Sequence, residues 1–268
     1  MAVSVYLDLV RYRELFGSLF RRDLRARYKG SVLGVAWSLA NPLVLMGVYV
    51  LVLSVLLKAV SPIDHYPLYL LSGLAVWVFF STSLQSASRS MVDYSELIRK
   101  VRFPRQLVAF STVATQLVAF VAMLVVLIVV NLIALPRVRT EIWLAIPLAA
   151  LVVGLVAGLA LAVASANVVF RDVEHLVSAA LLPWFFLTPV LYAIDKLPGG
   201  LARHHTVKEV LRWGNPITPP IEALRAPLYL GRLPHWTDVL YLVGVTAAAL
   251  ALGAWVFSRV DDRIAVEL

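Results

Sequence analysis

The chain has 268 residues, 61% of them hydrophobic and 15% charged, and Lys and Arg outnumber Asp and Glu by 24 to 16. Soluble domains carry about 45–50% apolar and roughly 25% charged residues, so this composition excludes an ordinary soluble fold and points to an integral membrane protein. The net charge of +8 fits basic cytoplasmic loops and anionic headgroups better than nucleic acid, and the absence of cysteine excludes disulfides, iron–sulfur clusters and thiol catalysis.

In residues 1–32, Val5, Leu9, Tyr12, Phe16 and Phe20 recur at helical spacing, with Arg11, Arg21, Arg22 and Arg25 mostly on the other side. This predicts an amphipathic helix at the membrane interface, although the same stripe would also suit packing on the protein's own helices. Beyond it the transmembrane domain runs over 33–268. Six segments free of Asp, Glu, Lys, Arg and His follow at about 33–57, 66–88, 106–135, 142–166, 176–194 and 239–258. Each is long enough to cross a bilayer as a helix, so an all-α membrane protein with six spans is expected. Pro183 and Pro189 should kink or break the fifth. With six spans both termini share a side. The loops on that side hold 15 Lys and Arg against 9 opposite, which places both termini in the cytoplasm.

Between spans two and three, Ser95-Glu96-Leu97-Ile98-Arg99-Lys100-Val101-Arg102-Phe103-Pro104-Arg105 reads as a short basic helix capped by Ser95 and stopped by Pro104. It suits either docking in a groove of a cytoplasmic partner or lying on headgroups. Span four repeats small residues at Ala150, Gly154, Gly158, Ala162 and Ala166. That stripe permits close helix contact, within the chain or with a second copy. The stretch 195–238 holds six of the 14 prolines, and its apolar piece Ile217–Leu230 predicts short helices that re-enter the outer leaflet.

Charge-free spans argue against coupling to proton or sodium gradients. No GxxxxGK[ST] loop is present, so any energy from ATP must come through another chain. No carboxylate or histidine cluster marks an enzyme or a metal site; His204–His205 and Asp261–Asp262 read as a solvated loop and a solvated turn. Tyr49, Trp77, Phe79, Trp184, Phe185 and Tyr192 belong either to interfacial belts or to a path for sugars, whose C–H faces stack on rings.

Several motifs together resemble the ABC-2 type polysaccharide permeases, the family that exports O-antigen, teichoic acid and related polymers. They are Arg22–Trp37 with Asn41-Pro42, Leu97–Arg105, Asn167–His175 followed by Thr188–Tyr192, and Asn215-Pro216 with Arg225 and Gly231–Pro234. The resemblance covers nearly the whole chain in order. It implies the non-catalytic permease subunit of a bacterial inner-membrane exporter: a homodimer joined to two P-loop ATPase subunits that bind ATP and Mg²⁺, moving a lipid-linked polysaccharide outward. It further implies that Ser95–Arg105 dock the ATPase and that Arg22, Asp23, Arg25, Arg27 and Tyr28 shape the cytoplasmic entrance. Spans one and five would line the path, and external helices within 195–238, with Asn215, Pro216 and Arg225, would gate the exit. The alternatives are an ABC-2 permease for a drug or lipid, a cell-envelope membrane enzyme, and an energy-independent channel.

Overall fold

The computed structural model describes residues 2–31, 34, 36–56, 63–101, 103–194 and 205–267. Among these the protein is helical without strands. In chain order the helices are α1 (Ala2–Arg11), α2 (Arg13–Tyr28), α3 (Ala36–Tyr49), α4 (Tyr66–Asp93), α5 (Ser95–Lys100), α6 (Gln106–Ala134), α7 (Ala145–Val169), α8 (Asp172–Leu187), α9 (His205–Trp213), α10 (Thr218–Arg225) and α11 (Trp236–Glu267). π-Helical turns extend α3 over Val50–Leu56 and follow α10 over Ala226–Leu230.

Among the described residues, five helical stretches are long and apolar enough to cross a membrane: Leu39–Leu56, Tyr66–Asp93, Gln106–Ala134, Ile142–Val169 and Trp236–Asp261. The segment expected to be span five is α8, with 16 residues. At 1.5 Å per residue it is about 24 Å long, short of a hydrocarbon core of about 30 Å. α8 tolerates Pro183 in its interior and ends at Leu187. Thr188, just before Pro189, is extended at φ −92°, ψ 133°, as the proline ring demands of its predecessor. Asp172 and Glu174 sit in the first turn of α8, where helix N–H dipoles favour carboxylates, and Asn167 Oδ1 accepts the Glu174 N–H at 3.0 Å.

The expected single N-terminal helix is divided at Tyr12 into α1 and α2. Both pack on the protein itself. Val5 and Leu19 are buried with Met91, Tyr94, Ile98, Leu107, Val168 and Phe257 in one apolar cluster, and the Tyr6 hydroxyl donates to the Leu250 carbonyl at 2.6 Å. Burial pushes the Tyr6 phenol up to about 12. This end of the bundle, holding α1, α2, α5 and the last turns of α11, is called basal below, and the end holding α9 and α10 distal.

The small-residue stripe of α7 meets α11 of the same chain. A Cβ on Gly158 would run into the backbone of Ala249 and Leu250, one on Gly253 would run into the Gly158 carbonyl, and Gly154 faces Thr246. The Thr246 hydroxyl donates to the Leu151 carbonyl at 3.1 Å. Asp261 lies inside α11 rather than in a turn and accepts from Arg105 at 3.0 Å. His204 lies outside the described residues.

Candidate functional site

One face of α4 carries a groove. Three hollows of about 480, 440 and 290 Å³ meet at Thr82, which lines all of them. Along α4 the lining follows Val78, Thr82, Gln85 and Arg89, three or four apart on one side of the helix, flanked by Ala75, Phe79 and Ser86 on one side and by Trp77 and Ser81 on the other. The other walls come from α2 (Asp23, Arg27), α3 (Asn41, Tyr49), α6 (Thr115, Gln116) and α8 (Ser178, Phe185). The basal mouth is polar and the part between α3, α4 and α8 is aromatic.

α2 forms the rim of that mouth because its polar face is bonded to α4 and α6. Asp23 accepts from the hydroxyls of Tyr94 and of Ser111, the latter at 3.1 Å. The Arg22 guanidinium stacks 4.0 Å from the Tyr94 ring centre. Burial and the bond to Asp23 hold the Tyr94 phenol well above its ordinary value, so it stays a donor. Arg27 donates to the Gln116 side-chain carbonyl, and the Gln116 amide donates to Ser86 at 2.9 Å. Tyr28 lines the middle hollow, and Arg25 is exposed.

The basic helix expected over Ser95–Arg105 is one and a half turns long. Tyr94, not Ser95, occupies the cap position, and neither caps through its side chain. The helix ends at Lys100 with Val101 extended, four residues before Pro104. Ile98 is buried, with Leu97 and Phe103 packed on the same cluster, so α5 is anchored on its inner face. Glu96, Arg99, Lys100 and Val101 point outward, with Lys100 Nζ 3.2 Å from Glu96 Oε2. Arg105 is bound to Asp261, and Arg102 lies outside the described residues. Tyr94 joins α4 to α5, so the outward-facing helix and the groove rim share one residue.

Four of the six aromatics meet. Trp77 lies 5.4 Å from Phe185 and 6.5 Å from Trp184, and Tyr49 lies 5.7 Å from Phe185. Phe79 faces away from them to stack on Phe120 at 4.6 Å, because two residues along a helix turn about 200°. Tyr192 stands apart; its carbonyl accepts from Tyr69 at 2.9 Å.

The residues expected at an external gate hold the end of α8. Asn215 accepts from Trp184 Nε1 and donates to Thr188 Oγ1, both at 2.9 Å, and Pro216 follows in the turn before α10. Arg225 is 1% exposed. Its guanidinium donates to Tyr69 (2.8 Å), Ser72 (3.3 Å), Glu222 (2.5 Å) and the Pro189 carbonyl (3.3 Å). Gly73 leaves the space it fills, since a Cβ there would strike Arg225 Nη2.

Sequence reasoning passed over Thr82, Gln85, Ser86, Gln116 and Tyr94. The hydroxyl and amide run Ser81-Thr82-Ser83-Leu84-Gln85-Ser86 within a charge-free span was the available signal for the groove. Nothing local marks Tyr94, whose partner is 71 positions away.

The model of the ABC-2 type transporter family matches residues 14–229. The chain is 34% identical over 264 residues to the O-antigen export system permease protein RfbA of Myxococcus xanthus, covering 98% of each chain. It is 27% identical over 271 residues to the protein of that name from Klebsiella pneumoniae, covering 99% of each. It is 22% identical over 254 residues to the polysialic acid transport protein KpsM of Escherichia coli, covering 92% of this chain and 93% of the relative.

Proposed function

The chain belongs to the ABC-2 type transporter family, and on that premise we propose that it is the permease subunit of an ATP-driven exporter of lipid-linked polysaccharide in a bacterial cytoplasmic membrane. The observation that carries the reading to this chain is the groove on α4, polar at its basal mouth and aromatic beyond it, which offers hydrogen bonds and ring faces to a sugar chain. In the assembly two copies of this chain join two copies of a separate ATPase subunit, which holds ATP and Mg²⁺; this chain performs no hydrolysis. α8 completes a sixth crossing together with the chain beyond Thr188, and both termini are cytoplasmic.

The basal end is then the side of loading. Arg99 and Lys100 of α5, with Val101 just after it, enter the ATPase subunit, and displacement of α5 reaches the rim of the groove through Tyr94 and its bond to Asp23. Arg27 and Gln116 stand at the mouth where the glycan enters, and Tyr49, Trp77, Trp184 and Phe185 provide ring contacts along its course. Asn215 and Arg225 hold the end of α8 at the exit.

The test is reconstitution. The chain, co-purified with an ABC ATPase subunit and placed in vesicles loaded with lipid-linked glycan, should transfer the glycan between leaflets only with ATP. Transfer without nucleotide, or ATP-driven movement of drugs but no glycan, rejects the reading. Single cysteines in 205–213 should react with an impermeant thiol reagent from outside cells; labelling only after permeabilisation would invert the orientation.

A further inference from the structure

The groove changes electrical character along its length. Its basal mouth holds Asp23, Arg27, Arg89 and Asp93. Arg89 is paired with Glu174 at 3.3 Å, and Arg27, which also lines the middle hollow, donates to the neutral Gln116 amide. Between α3, α4 and α8 the described lining contains no Asp, Glu, Lys, Arg or His. It presents the amides of Asn41 and Gln85, the hydroxyls of Ser81, Thr82 and Ser178, and aromatic rings. Gln85 and Ser178 are both exposed, and the Gln85 amide donates to the Ser178 hydroxyl at 3.4 Å, bridging α4 and α8.

Such a wall matches sugar hydroxyls with neutral donors and acceptors and sugar C–H faces with rings. It does not match a carboxylate. An anion that exchanges water for neutral dipoles at membrane depth loses hydration with no cation to replace it. Because one relative is named for polysialic acid, an acidic polymer, charge on the glycan is a variable within the family. We infer that this groove selects glycans whose repeat units are uncharged and discriminates against those carrying an acidic sugar in each repeat; the inference rests on the export function proposed above and names its substrate class.

The complex with its ATPase subunit, in vesicles supplied with ATP, is given two glycans of equal length on the same lipid carrier. One is built only of neutral hexoses, and the other has one uronic acid per repeat. The neutral glycan should be exported at least tenfold faster, and any smaller preference overturns the inference. Gln85→Arg and, separately, Ser178→Arg place a cation on the exposed wall, and each should shrink the preference at least threefold. If neither changes the ratio, selection does not reside in this groove and the inference falls. Should either variant export too little to measure, the ratio of glycan-stimulated ATP hydrolysis supplies the same comparison. Export of neither glycan by the unsubstituted complex rejects the export function instead, which separates the two failures.

Discussion

Gly158→Ala tests a close backbone contact between two helices of the bundle. α7 and α11 touch there backbone to backbone, and the added methyl would meet the main chain of Ala249 and Leu250, which cannot rotate aside. The two helices must part. Overpacking of this kind costs about 1–3 kcal/mol, and loosening the Thr246–Leu151 hydrogen bond adds roughly 0.6 kcal/mol, typical of interhelical bonds in membranes. Gly244 on α11 is the matched control, because nothing lies within 4 Å of the place a methyl would take there. At that position the change to alanine stiffens a helix and should gain about 0.5–1 kcal/mol. Gly158 also lies inside a helix and shares that gain, so the two alanines should differ by the packing terms alone, about 2.5 kcal/mol, or about 5–10 °C in melting temperature at roughly 2–4 °C per kcal/mol for a chain of this size. Circular dichroism melts in one detergent measure the gap. Equal melting temperatures, or a more stable Gly158→Ala protein, would refute the placement of α7 on α11. Gly253→Ala should resemble Gly158→Ala, and the double variant should fall short of the sum because one separation of the helices accommodates both methyls.

Arg225→Met leaves Tyr69, Ser72 and Glu222 without their shared donor and should destabilise the protein by about 3–5 kcal/mol, seen as a lower melting temperature, with Arg225→Lys recovering under half. Tyr94→Phe keeps the ring beneath Arg22 but removes a bond to a carboxylate worth about 1.5–3 kcal/mol. Co-purification of the ATPase should survive while export falls about tenfold; loss of both together would contradict the linkage. Arg99→Glu with Lys100→Glu reverses the exposed charge of α5 and should abolish co-purification with the ATPase in pull-down assays. The Tyr6 phenol is held above its ordinary value, so the folded state keeps the proton longer than the unfolded chain. Its stabilisation is complete below about pH 10 and is lost as pH rises toward 12. Hydrogen exchange in α1 should accelerate over that window, and Tyr6→Phe should flatten the response.

The apolar segments were legible because a bilayer imposes a length and forbids charge, and both constraints are local in sequence. The glycine stripe of α7 was legible as a contact surface, but spacing alone does not name a partner, and the choice of α11 emerged only in three dimensions. The enclosure of Arg225 was not legible for a related reason. Counting loop charge treats every arginine as solvated, yet this one is enclosed because Gly73, the Pro189 carbonyl and Tyr69 come from distant parts of the chain. Position 77 meets Trp184 and Phe185 while position 79 does not, a distinction that follows from helical rotation once the face of α4 is known. Ser95 has the right chemistry for a cap, but Tyr94 took the position because α4 runs on to Asp93 and leaves a single residue between the helices.

The walls of the groove are unequally secured. In the most apolar part of α4 72% of the residues are buried inside the protein, against 6% over Leu39–Leu56, which holds most of α3. Local opening draws on the parts of a fold with the fewest enclosed contacts. Shifting α3 would disturb few contacts within the chain, whereas shifting α4 would break into its core. The cleft thus behaves less like a pair of jaws than like a fixed rail with a yielding side, along which cargo of varying girth can be accommodated without unseating the rest of the bundle.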